Sequence, residues 1–127
     1  MIPLGRRRWA IPGGNIPPDS TGPEPRWTSF DELCVLNAGD GEASVAITIY
    51  YEDREPVGPY KIRIAGRRVR QLRLNDLIDP EAIPLGTAYA CVVESSVPVV
   101  VQFVRQDTGR AENAALGLMG YPDDGTG

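Results

Sequence analysis

The chain contains no histidine. That removes the commonest general base, the commonest metal ligand and every serine or cysteine triad built on imidazole. It has two cysteines, Cys34 and Cys91, and neither lies in the CxxC spacing of zinc sites or dithiol oxidoreductases. An immunoglobulin-type pair does not fit either, because Trp9 and Trp27 both precede Cys34 where that core wants a Trp between its cysteines. Two buried, reduced thiols are the expectation. No apolar run approaches the ~20 residues needed to span a bilayer. Arg6, Arg7 and Arg8 are followed by too short an apolar stretch, Trp9 to Gly14, to serve as a signal core. The expected location is therefore the cytoplasm.

Catalytic signatures are missing too. There is no GxSxG elbow, no P-loop and no GxGxxG. The acidic groups Glu52, Asp53 and Glu55, and Asp76 with Asp79, fall at strand ends and turns, where they read as solvated turn formers rather than a glycosidase pair. Calcium would need more carboxylates at closer spacing than Asn75 to Asp79 offers. No catalytic residue, metal or cofactor is expected, and the chain reads as non-enzymatic.

Lysine is nearly absent, leaving arginine to supply the positive charge. A net charge of −4 over 127 residues argues against general nucleic-acid binding, which needs an excess of cations to neutralise phosphates. Locally, Lys61, Arg63, Arg67, Arg68, Arg70 and Arg73 gather on one ribbon. A solvated strand face is the plain reading, and a basic docking stripe is the alternative.

What is present is a β pattern. Val45, Ile47, Ile49 and Tyr51 alternate with Ala46, Thr48, Tyr50 and Glu52, and Tyr60, Ile62 and Ile64 with Lys61, Arg63 and Ala65. A period of two belongs to strands. Further strands are expected at Arg7 to Ile11, Glu32 to Leu36, Arg68 to Leu74, Tyr89 to Val93 and Pro98 to Val104, with a Pro/Gly-rich loop over 12–26. The unbroken apolar run Val97 to Val101 points to a strand covered on both faces, hence to a neighbouring subunit. After Asp107, the residues Ala111, Ala114, Ala115, Leu116, Leu118 and Met119 favour a short helix capped by Asp107 or Thr108. The expectation is one all-β domain over 1–106, an antiparallel β-sandwich of about seven strands, with a helical or flexible tail over 107–127.

For binding, sugar and metabolite sites combine an aromatic face with planar polar groups that hydrogen-bond in pairs. Trp9, Asn37, Tyr51, Arg73, Asn75, Asp76, Gln102 and Arg105 supply those types and are the candidate ligand-binding residues, with core or interface packing as the alternative role of the aromatics.

Strings spread along the chain carry a resemblance: Trp9-Ala10-Ile11, Ile16-Pro17-Pro18, Cys34 to Asp40, Ile47 to Tyr51, Glu55 to Tyr60, Asn75-Asp76-Leu77, Val97 to Gln102 and Ala111 to Ala114. The chain resembles the sensory rhodopsin transducer family. The resemblance implies a β-sandwich protomer in a planar homotetramer, with a loop and a C-terminal helix on the face used for docking. It implies two roles: a sensor of a sugar-like small molecule, or an adaptor that docks on a membrane photoreceptor. DNA binding through Arg67 to Arg73 ranks below both.

Overall fold

The computed structural model describes residues 4–19, 29–108 and 114–123. Among them run β1 (Arg6–Gly14), β2 (Phe30–Asn37), β3 (Ala43–Tyr51), β4 (Val57–Ile64), β5 (Arg68–Arg73), a 3₁₀ turn (Leu74–Asp76), β6 (Tyr89–Asp107), β7 (Ala114–Met119) and β8 (Tyr121–Asp123). Every strand pair is antiparallel. One sheet runs β4-β3-β6-β1-β8 and the other β5-β2-β6-β7.

The alternation behaves as a pleated backbone demands. Val45, Ile47 and Ile49 of β3 and Tyr60, Ile62 and Ile64 of β4 face the core, while Lys61 and Arg63 point to water. Leu33 and Val35 of β2 and Val101 and Phe103 of β6 close the core from the second sheet. Burying one such side chain contributes about 1.5–3 kcal/mol.

Strand β6 belongs to both sheets. Tyr89 to Ser95 pair with β3, and Val100 to Gln106 pair with β2. Between the halves, the register against β1 jumps from Arg8 opposite Glu94 to Arg6 opposite Val99, so Ser95 to Pro98 bulge out of the ladder with β1. A bulge bends a strand and lets it leave one sheet for another. Pro98 is tolerated there because no ladder N–H is required of it. The Trp9 indole pins the corner, its N–H shared between the carbonyls of Val99 at 2.9 Å and Arg6 at 3.1 Å. The two separate strands expected over Tyr89 to Val93 and Pro98 to Val104 are thus one.

The expected C-terminal helix is not formed. Ala114–Met119 pair instead with Asp107 to Gln102 of β6, bringing the strands to eight. Six residues that include Gly117 are too few to sustain a helix in water, whereas β6 offers a ready ladder. Thr108, expected as a cap, is buried with its hydroxyl 3.0 Å from that of Ser29. The remainder of that expected helix and residues 20–26 of the expected loop lie outside the described residues. Both cysteines are free thiols, Cys91 fully buried and Cys34 half-buried.

The outer face of the β5-β2-β6-β7 sheet carries exposed apolar side chains. Directly paired residues share a face, which aligns Val69, Leu36 and Val100 in one row and Gln71, Cys34, Gln102 and Met119 in the next. Val69 and Met119 are more than half exposed, and among the described residues β7 pairs on one side only, with β6.

Candidate functional site

A buried carboxylate organises one end of the sandwich. Asp31, on β2, has no solvent exposure. Its Oδ1 accepts the Arg105 Nε–H at 2.8 Å. Its Oδ2 accepts the Tyr89 hydroxyl at 2.7 Å, the Asn15 backbone N–H at 2.9 Å and an Arg105 Nη2–H at 3.4 Å. Arg105 also donates to the Gly13 carbonyl at 3.1 Å. The charge is therefore paired and its lone pairs are occupied, as a buried ion requires. Hydrogen bonding to Asp31 raises the Arg105 pKa against the opposing effect of burial. Burial first, and the bond to Asp31 second, push the Tyr89 phenol well above its ordinary range. Gly14 makes this possible, since a Cβ there would lie 2.2 Å from the Tyr89 ring.

The hub reaches the surface through Asn75. Its Oδ1 accepts the Asp31 backbone N–H at 3.4 Å, and its Nδ2 donates to the Ser29 carbonyl at 3.0 Å. Asn75 sits in the 3₁₀ turn that follows β5, so its neighbours Arg73 and Asp76 are carried to the opposite side, into a cleft.

That cleft opens where β4, the edge of one sheet, splays from β5, the edge of the other. Its volume is about 480 Å³. Ile62, Leu72 and Leu77 form an apolar floor, and Lys61, Arg70, Gln71, Arg73, Glu32 and Asp76 supply polar walls. The Arg73 guanidinium lies over the Phe30 ring, 4.3 Å from its centroid. Arg70 donates from Nη1 to the Arg63 carbonyl at 3.2 Å. Two planar forks are thus held in place by the protein before any ligand arrives.

A second, smaller recess of about 280 Å³ lies at the end of the other sheet, lined by Pro12, Tyr50, Glu52, Ala88 and Ala90 with Tyr51 and Tyr89 beneath. Burial raises the Tyr51 pKa, and its hydroxyl is buried without a hydrogen-bond partner among the described residues. Arg54 lies over the Tyr51 ring at 5.1 Å and is ion-paired with Glu81 at 2.7 Å. The recess offers few polar groups and is the weaker candidate.

The eight sequence-predicted residues are not gathered in one place. Arg73 and Asp76 meet in the cleft, Asn75 and Arg105 join at the buried hub, and Tyr51 lies at the recess. Trp9 is a core residue at the β6 corner. Asn37 is fully buried, and its amide donates to the carbonyls of Gly41 at 2.9 Å, Ile64 at 3.1 Å and Ala65 at 3.3 Å, closing two turns. Gln102 stands exposed on the outer face of its sheet. Sequence reasoning missed Asp31 and Tyr89, which carry no local signal, did not assign Glu32 and Gln71 to a site, and gave Lys61 and Arg70 only to a solvated face, a basic docking stripe or, for Arg70, a DNA-binding ribbon. The basic ribbon contained the hint, since Lys61 and Arg70 come to line one cleft only once β4 and β5 are placed. Among the described residues no group of His, Cys, Asp and Glu is arranged to hold a metal ion, and no helix is long and apolar enough to cross a membrane.

The profile of the family described as Anabaena sensory rhodopsin transducer matches residues 4–122. Among solved structures, the Anabaena sensory rhodopsin transducer is 51% identical, with a TM-score of 0.74 over 81% of this chain and 99% of that one. The crystal structure of Thermotoga maritima 1070 is 34% identical, with a TM-score of 0.86 over 97% of this chain and 99% of that one. Among proteins whose function has been curated, none matches.

Proposed function

The chain belongs to the Anabaena sensory rhodopsin transducer family, and from that membership we propose that it is a non-enzymatic cytoplasmic signalling protein that binds a sugar-like small molecule in the β4–β5 cleft. The cleft is the observation that carries this reading. It joins an apolar floor to planar side chains, Arg70, Gln71 and Arg73, that hydrogen-bond in pairs, and to two carboxylates that accept from hydroxyl groups. The absence of histidine and of nucleophile motifs supports binding without turnover. The working form is a homotetramer. Its support is the apolar outer face of Leu36, Val69, Val100 and Met119, together with the one-sided pairing of β7 among the described residues, both of which invite cover by another copy.

The second reading is an adaptor that docks on a membrane photoreceptor, as the name of the Anabaena relative suggests for that protein. Exposed Leu116, Leu118 and Met119 on β7 favour it by offering an apolar strand to a partner. The two roles are compatible, because a ligand that binds one docked state better shifts the population toward it.

A thermal-shift screen of sugars and sugar acids, with calorimetric titration of every hit, tests the sensor. A ligand at a hundred times its dissociation constant adds about 2.7 kcal/mol, a shift of several degrees for a domain of this size. A flat screen removes the sensor reading, and co-purification with a photoreceptor that persists after truncation before Ala114 removes docking through β7.

A further inference from the structure

Charges of opposite sign collect at the two ends of β4. Where β4 turns into β5 stand Arg63, Arg67, Arg68 and Arg70, all exposed. Among the described residues Arg63, Arg68 and Arg70 form no ion pair, and Arg67 reaches only Asp40, at 3.9 Å. Where β3 turns into β4 stand Glu52, Asp53 and Glu55, also exposed and also without an ion pair among the described residues. Arg54, which lies among them, is committed to Glu81 at 2.7 Å. The eight residues of β4 hold the two ends about 26 Å apart. That exceeds the ~8 Å screening length of physiological salt, so neither cluster neutralises the other within one copy.

The basic turn presents its charge at a backbone cost. Arg67 has a φ of 59°, in the left-handed region where glycine alone carries no penalty. Its N–H donates to the Gly39 carbonyl at 2.8 Å, the Asn37 amide holds the carbonyls of Ile64 and Ala65, and a Cβ at Gly66 would lie 2.0 Å from the Asp40 carbonyl oxygen. The turn is thus fixed against its neighbour, and an arginine side chain 76% exposed stands where glycine would fit best. What it meets must be narrow. Asp40 and Glu42 lie in the neighbouring turn, so a flat anionic membrane touching the arginines would meet both carboxylates as well. Since β4 and β5 belong to different sheets, they form no two-stranded ribbon to enter a nucleic-acid groove. An acidic loop fits, and the chain itself carries one.

We propose that the basic β4–β5 turn of one copy docks the acidic β3–β4 loop of a second copy, its guanidinium forks meeting the carboxylates of Glu52, Asp53 and Glu55. This rests on the homotetramer reading and names the contact that orders its copies. Because the two patches differ, the contact is heterologous, and four copies use every turn and every loop in a closed ring. Exposed ion pairs add little affinity but steer encounter and fix register, so the apolar outer face around Leu36 and Val69 supplies stability while the charged ends choose the geometry.

The test is sedimentation velocity of the full chain at about 50 mM and about 500 mM salt, between which the screening length changes about threefold. Two double variants are compared with the unaltered chain, Arg67→Gly with Arg68→Glu at the turn, and Glu52→Arg with Asp53→Arg at the loop. Each alone is expected to raise the dissociation constant of assembly at low salt by about tenfold or more. Their circular-dichroism spectra should be unchanged, since all of these side chains are exposed and glycine relieves the strain at position 67. Mixed in equal amounts, the two variants are expected to recover the native mass, because each then meets opposite charge at both of its ends. Native mass kept by both variants at low salt overturns the charged contact and leaves the tetramer to the outer face. Dissociation of each variant without recovery in the mixture overturns the pairing of turn with loop. Binding of the unaltered chain to phosphatidylserine vesicles, lost with Arg67→Gly and Arg68→Glu, overturns the second copy in favour of an anionic membrane. A monomer at both salts overturns the contact and the homotetramer reading together.

Discussion

Replacing Asp31 by Asn tests whether the buried hub holds the sandwich end together. The change keeps the shape of the side chain and removes its charge. If the new amide nitrogen takes the place of Oδ2, it faces the Asn15 N–H and the Tyr89 hydroxyl, and if it takes the place of Oδ1, it faces the Arg105 Nε–H. Either orientation sets donor against donor and strands a guanidinium beside a neutral group. Breaking a buried pair by removing one partner costs about 3–5 kcal/mol. The lower end applies here, because the Arg105 side chain is 24% exposed and keeps its bond to the Gly13 carbonyl. A loss of about 3 kcal/mol lowers Tm by about 10 °C for a chain of this length. A circular-dichroism melt at pH 7 reads it directly. A companion double variant, Asp31→Leu with Arg105→Met, should lose less than the sum of its single changes, because the second change removes the charge stranded by the first. A fall in Tm below about 3 °C, corresponding to less than about 1 kcal/mol, would refute the hub as a stabilising unit.

Four further outcomes are expected. Burial pushes the Cys91 thiol from 9.0 up to about 12, and Tyr89 moves in the same direction. Groups raised in the folded state stabilise it fully below their unfolded pKa values and lose that contribution as pH rises, so the denaturant midpoint should fall from about pH 9 upward. The Cys91 share is about 2 kcal/mol by pH 10.5, and a Cys91→Ala variant should show a shallower fall. Gly14→Ala should displace the Tyr89 ring from Asp31 and cost about 1–3 kcal/mol by urea titration, and an unchanged midpoint would contradict the contact. Asn37→Ala should cost about 1–3 kcal/mol through orphaned carbonyls yet leave cleft titrations unaltered, which separates its turn-closing role from ligand binding. Val69→Lys with Met119→Lys should reduce the mass measured by light scattering, and an unaltered mass would show that the apolar outer face does not carry assembly.

The chain sequence by itself determined which residues of β3 and β4 face inward, because alternation is a property of the local backbone and needs no partner. It determined equally the absence of imidazole chemistry and, through strings spread over most of its length, the family. Tertiary structure decided what local signals left open. Ala114 to Met119 carry helix-favouring residues, yet the unpaired edge of β6 draws them into a strand. The two apolar runs of β6 became one strand because Ser95 to Pro98 could bulge at a corner that the distant Trp9 indole pins. The polar groups depended most on the fold. Asp31 meets Asn15, Tyr89 and Arg105 from positions 16, 58 and 74 residues away, so its role is set by the register of strands that no short window contains. Trp9, Asn37 and Gln102 are of the right chemical type for a ligand site, but the partners of a polar side chain are chosen by whichever backbone folding brings within hydrogen-bond reach.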